Sequence, residues 1–238
     1  MSDLFNIRAL TFDVFGTTVD WCAGIAREAE ALLGPKGHRL DWVAFANRWR
    51  KEYQPAMEQV RSGKRGYVAM DVLHREMLDV ALKEFGVTDL TAGEKDQFAL
   101  AWRRLPPWAD TVEGMTRLKR TFVLVALSNG NIALISEMAK RGGLPWDVIL
   151  GADIVQTYKP MPALYDSAPR MLDLKPEQVM MVACHAWDLD HAMKRGLRTA
   201  YVRRADEYGP GAGLPEPKPG TYDLQVGSFV ELAEAMGA

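Results

Sequence analysis

Hydrophobic positions along this chain follow two different patterns. Short, nearly continuous apolar runs fall at residues 8–13, 122–127, 179–183 and 199–202, with briefer ones at 148–150 and 224–226. Runs of that length and β-branched content read as strands buried on both faces. Between the first run and the second, residues 21–104 carry no convincing strand and repeat apolar residues near the helical period. A helix over 23–33 is stopped by Gly34-Pro35, and Asp41 caps a second one through Trp42, Phe45, Trp49 and Tyr53. Pro55 is expected to bend or end the first part of that helix. Residues 68–85 bring Val72, Leu73, Met77, Leu78 and Leu82 to one face, with Gly86 at the C-cap position. Thr91 and Glu94 have the spacing of a capping box before the apolar stretch 98–102.

Pro106-Pro107 ends the helical block, and strands then alternate with helices over 111–120, 132–141, 162–172, 186–195 and 229–235. Such alternation specifies a parallel sheet with helices on both faces. The expected class is α/β: a Rossmann-like parallel sheet core with an inserted helical cap domain. Residues 1–20 and 105–238 would form the core and 21–104 the cap. A module inserted directly after the first strand sits over the strand ends, where a lid excludes water from a site. The Gly- and Pro-rich loop 206–220 either wraps the core or borders the site.

Composition narrows the partners. The chain has 238 residues, 48% hydrophobic and 25% charged, with a formal net charge of -2, which describes a globular protein. Arg48, Arg50 and Lys51 cluster among acids and apolar residues, so no basic footprint predicts nucleic acid as a partner. Two cysteines, Cys22 and Cys184, form neither a disulfide framework nor a metal motif. The start of the chain lacks the pattern of a signal peptide. Run 122–127 is far shorter than the roughly 20 residues that span a bilayer. The expectation is a cytoplasmic protein with no membrane partner.

Chemistry enters at the ends of the strands. The first run closes on Asp13, and Gly16 allows a tight turn whose backbone N–H groups face the same crevice. Ser128-Asn129-Gly130 follows the second strand, Tyr158-Lys159-Pro160 the third, and Cys184-His185-Ala186-Trp187-Asp188 the fourth. Singly, each has a mundane reading: a helix cap, a turn, a surface lysine. In an open parallel sheet, however, all four converge at one edge, where a carboxylate can act as a nucleophile.

This constellation resembles the haloacid dehalogenase superfamily, and the likeness covers nearly the whole chain. Phosphatases of that superfamily carry a second Asp two positions after the nucleophile; here that position is Phe15. A halide needs no proton to leave, so the missing acid suits dehalogenation. Phe12 to Trp21, Ser128-Asn129-Gly130, Lys159-Pro160 with Tyr165, and Ala186-Trp187-Asp188 resemble the type II (S)-2-haloacid dehalogenases, which invert configuration and use no metal or organic cofactor.

The resemblance implies that Asp13 attacks the halogen-bearing carbon and forms an ester. Water oriented by Asp188 then hydrolyses it. Lys159 would keep Asp13 ionised, and Thr17 would support its loop. Ser128 and the N–H groups near Val14 and Phe15 would hold the substrate carboxylate, with Tyr165 and Trp187 also lining the substrate site. Asn129 and a lid arginine, Arg50 with Arg48 as second choice, would receive the halide; a solvated helix face is their other reading. Trp21, Trp42 and Trp49 read as packing, Cys184 as a small core residue, and His191 as a helix-face residue. One departure stands out: many relatives have Ser-Ser-Asn where this chain has Ala183-Cys184-His185. His185 would donate to the departing halide or help position the water, and some relatives with His here act on fluoroacetate. The implied partners are a small haloacid and halide ion; related dehalogenases suggest a homodimer. Two alternatives remain open. One is a phosphonatase or phosphatase-like hydrolase with Mg²⁺ on Asp13 and Asp188. The other is a non-catalytic binding protein on the same fold.

Overall fold

The computed structural model describes residues 6–238; the expected core range 1–20 therefore begins partly outside the described residues. Six strands form one parallel sheet in the order β3-β2-β1-β4-β5-β6. They are β1 (Ala9–Phe12), β2 (Val123–Leu127), β3 (Val148–Leu150), β4 (Val179–Ala183), β5 (Arg198–Val202) and β6 (Leu224–Val226). Alternating side chains feed the two layers. Leu10 and Phe12 pack on one face, while Ala9 joins Val125, Leu127, Val179 and Met181 on the other. β1 lies between β2 and β4, and the chain turns from one side of it to the other, so the switch point of the topology falls at the end of β1.

The helical block that follows β1 holds α1 (Trp21–Leu33), α2 (Trp42–Lys51), α3 (Tyr53–Arg61), α4 (Met70–Glu84) and α5 (Ala92–Ala99). Helices α6 (Thr111–Leu118), α7 (Ile132–Gly142), α8 (Pro162–Met171), α9 (Ala186–Lys194) and α10 (Phe229–Ala235) accompany the later strands. Local chemistry explains several ends. Asp20 accepts from Ala23 N at 3.0 Å, so α1 starts two residues earlier than its apolar pattern indicates. Asp41 caps α2 in the same way at 2.9 Å, and Thr91 with Glu94 makes the expected capping box of α5.

Two expectations need correction. The helix from Trp42 breaks at Glu52, ahead of Pro55, and Tyr53 opens a separate helix. Proline is tolerated in a first turn, where its missing N–H has no partner to lose, so Pro55 sits within α3 without ending it. Val72 fits the helical period but is 46% exposed, because α4 buries the stripe Leu73, His74, Met77, Leu78, Ala81 and Leu82 instead. Among the described residues, no helix is long and apolar enough to cross a membrane.

Candidate active site

Asp13 follows β1 directly, and its own backbone secures the turn beyond it. The Thr18 hydroxyl donates to the Asp13 carbonyl at 2.7 Å, and the N–H groups of Thr18 and Val19 donate to Val14 O at 2.9 and 3.1 Å. Trp108 Nε1 donates to Gly16 O at 2.9 Å, and Arg204 Nε to Thr17 O at 2.9 Å. Gly16 has φ +93°, a conformation most side chains avoid.

Asp13 is 8% exposed, and its carboxylate has donors on both oxygens. Lys159 Nζ is 3.2 Å from Oδ1, and the Thr17 hydroxyl donates to Oδ2 at 2.9 Å. His185 Nδ1 stands 3.2 Å from Oδ2, an ion-pair distance, although its angle is not that of a directed hydrogen bond. Burial pushes the Asp13 carboxyl up. Lys159, His185 and Thr17 together outweigh it and hold the group well below the usual carboxylate range. Asp13 is thus an anion already stripped of most water.

Lys159 is wholly buried and shared between two carboxylates, donating to Asp188 Oδ2 at 2.6 Å as well. Burial pulls its ammonium down, but Asp188 and Asp13 more than restore it. Asp188 accepts from Tyr165 OH at 2.6 Å through its other oxygen. Burial raises the Asp188 carboxyl against the pull of Lys159. Tyr165 is fully buried, and its hydroxyl meets Asp188, so the structure places it behind the charged cluster rather than on a substrate surface.

On the other flank Asn129 Oδ1 accepts the Lys159 N–H at 2.7 Å, which turns its amide nitrogen the other way. Ser128 Oγ accepts from Gly130 N at 3.0 Å and keeps its own proton to donate. Val14 and Phe15 are buried. The Phe15 ring points into the helical block against Tyr53, His74 and Trp102, with centroids 5.8–6.2 Å away, so its contribution at the site is its backbone. The fold brings Arg50 over the Tyr53 ring at 3.6 Å, and within 5.5–5.9 Å of the rings of Trp21, Phe15 and Trp102. Its buried Nη1 has no hydrogen-bond partner among the described residues. Arg48 points elsewhere, paired with Glu84 and, at 2.6 Å, with Glu52. A cavity of about 350 Å³ between the helical block and the sheet edge is lined by Arg50, Tyr53, His185, Trp187, Asn47 and Tyr208.

Three residues escaped the sequence reading. Glu207, on the Gly- and Pro-rich loop, is 1% exposed and takes the other side of His185, with Oε1 2.9 Å from Nε2. His74 is fully buried in α4 and stacks on Trp102 at 4.3 Å; burial, then the Arg50 charge, keep it neutral. Tyr208 joins the cavity wall. Only the helical stripe of α4 hinted at His74, and nothing local singled out Glu207.

Could the site hold a metal? Both oxygens of Asp188 are already met by donors, which suits that carboxylate poorly to ligating a divalent ion beside Asp13. Cys184, His185 and Glu207 also lie close together. The 2.9 Å contact between His185 and Glu207 is a direct hydrogen bond, and burial pushes the Cys184 thiol up, so this trio reads as a proton-bearing network.

A buried, ionised carboxylate at the end of the first strand, a buried lysine between two acids, and a polar turn after the second strand share one edge of the sheet, an arrangement suited to hydrolysis. The chain belongs to the haloacid dehalogenase-like hydrolase family, whose model matches residues 7–190. It is 31% identical to an (S)-2-haloacid dehalogenase 4A of Burkholderia cepacia over 95% of this chain and 94% of that one. Its fold is similar to that of the defluorinating L-2-haloacid dehalogenase Rha0230, with TM-score 0.93 and 43% identity over 98% of this chain and 96% of that one. The L-2-haloacid dehalogenase PA0810 is similar too, with TM-score 0.92, 41% identity, and coverage of 97% and 99%.

Proposed function

We propose that this chain hydrolyses short (S)-2-haloacids to (R)-2-hydroxy acids and halide through an ester on Asp13. The observation that carries this reading is an ionised, desolvated Asp13 with Phe15 where a phosphatase would need its acid. A carboxylate so placed attacks saturated carbon well, and halide departs without a proton. Back-side attack inverts the carbon. Lys159 and Thr17 aim the nucleophile. The Ser128 hydroxyl and the N–H groups of Val14 and Phe15 hold the substrate carboxylate, and Arg50 with the Asn129 amide receives the halide. Asp188, engaged on both oxygens, serves by fixing Lys159. In this reading residues 21–104 act as the lid over a core of 1–20 and 105–238.

The similarity to dehalogenases, one described as defluorinating, supports including fluoroacetate. The test is halide release from fluoroacetate, chloroacetate and both enantiomers of 2-chloropropionate, with excess chelator. Native enzyme should release halide from the (S) enantiomer in preference to the (R), and Asp13→Asn should release none. Activity that requires Mg²⁺ and phosphate esters would replace this reading with the phosphatase one.

A further inference from the structure

Beyond the charge His185 lends to Asp13, the displacement step leaves His185 and Glu207 without a partner on the substrate or the halide, yet they are built into the site more tightly than packing requires. Glu207 receives Trp21 Nε1 at 3.2 Å and lies 3.7 Å from Cys184 Sγ. A side chain on Gly16 would place its Cβ 2.2 Å from Glu207 Oε1, so the nucleophile turn leaves space for this carboxylate. Arg204, three residues earlier, ties the same segment to Thr17 O and, at 2.8 Å, to Asp110. The imidazole thus bridges two carboxylates, Asp13 at Nδ1 and Glu207 at Nε2.

Position decides between the two roles open to His185. In an in-line displacement the halide leaves on the side of the carbon away from the attacking oxygen. His185 touches the Asp13 carboxylate itself, which puts it at the near end. What lies beside it is the carboxyl carbon that water must attack in the second step.

We propose that His185 and Glu207 handle the proton of ester hydrolysis, with His185 Nδ1 accepting it from the attacking water and Glu207 as the positioning residue behind the ring. The proposal rests on the ester mechanism argued above. In the resting enzyme two anions flank the imidazole, and it stays protonated. Burial opposes that charge; Cys184, Glu207 and Asp13 favour it, and because the Cys184 thiol is itself neutral, the two carboxylates are the effective anions. Lys159 faces the far oxygen of Asp13, Arg50 acts on Glu207, and Tyr201 and Tyr208 complete the surroundings.

Ester formation makes the bond from Asp13 oxygen to carbon, breaks carbon–halogen, and sends the electron pair out with the halide. It also erases the Asp13 charge. His185 then releases its proton to solvent and is left as a neutral imidazole backed by one carboxylate, the arrangement that makes a general base. Water gives one proton to Nδ1 while its oxygen bonds the Asp13 carboxyl carbon. The tetrahedral adduct collapses, breaking the bond from the carboxyl carbon to the alkyl oxygen. The second water proton goes to the departing alkoxide. Asp13 is again a carboxylate and His185 again an imidazolium. Each turnover yields one hydroxy acid, one halide and one proton.

Rapid-quench halide release and intact-protein mass, with (S)-2-chloropropionate, separate the two steps. His185→Gln should keep a burst of one halide per site, accumulate the ester, and hydrolyse it on the order of 10²–10⁴-fold more slowly. Glu207→Gln should slow the same step less and move the acid limb of kcat to lower pH, because losing the carboxylate eases loss of the imidazolium proton. A merely structural role would not move that limb. Ester hydrolysis at the native rate in both variants, or a slowed burst with no ester, overturns the proposal. Failure of native enzyme to release halide would instead overturn the dehalogenase reading.

Discussion

Two arginines two residues apart, and so on opposite faces of one helix, show how little of a residue's role lies in its type. Arg48 and Arg50 share α2, but Arg48 ends in two carboxylates on the outer side. Arg50 reaches inward, and its guanidinium lies over aromatic rings that cannot neutralise it. A half-buried cation facing π-clouds, with its buried Nη1 unpaired, is prepared for an anion. Removing it should cost transition-state stabilisation: Arg50→Ala is expected to lower kcat/KM for (S)-2-chloropropionate by about 10²–10³-fold. Arg48→Ala loses surface ion pairs worth at most about 1 kcal/mol and should change the rate little. Steady-state kinetics and a thermal midpoint for each variant check the contrast; equal rate losses would remove Arg50 from the proposed halide site.

At the scale of elements, the helical block reaches the reacting groups through backbone contacts. Arg61 of α3 donates to the Lys159 carbonyl at 2.7 Å, and Tyr158 OH donates to Val68 O beside α4. The loop carrying Lys159 is therefore clamped from above. Losing the Arg61 contact should cost about 1.5–3 kcal/mol where the bond is fully formed. Arg61→Ala should lower kcat more than it raises KM, measured with saturating haloacid, since it loosens the lysine rather than the substrate site. An unchanged kcat would show that the clamp is incidental. The strands and the polar turns that end them were legible because doubly buried strands leave unbroken apolar runs, and parallel topology sends their ends to one edge. Asp13, Lys159 and Asp188 were found that way. Glu207 was not, because its loop carries no periodicity, and only the return of the chain after β5 brings it to His185. Pro55 misled because its effect depends on position within a helix. Val72 misled because a helical stripe can be shifted by one residue once a buried histidine replaces an aliphatic side chain.

Across the whole molecule, this burial of charge couples folding to pH. Asp13 and Glu207 are held below ordinary carboxylates in the fold. Their contribution is present above about pH 4 and is lost as pH falls through their folded values. Asp188, raised by burial, opposes stability at neutral pH and is relieved in acid, which softens that loss. His185 has the opposite sign. Its folded value lies well above the unfolded one of about 6.5, so its contribution is complete below that pH and disappears as pH rises through the folded value. Lys159 behaves likewise, but only above about pH 10. Above about 6.5, therefore, the contribution of His185 falls away as pH rises toward and through its folded value. Thermal midpoints of native enzyme and His185→Gln, taken at acidic, neutral and mildly alkaline pH, should differ most in the acidic sample and converge as pH rises. A gap that stays constant across the series would mean that His185 carries no extra proton in the folded resting state. The two carboxylates would then not be flanking an imidazolium, and ester formation would have no proton to release.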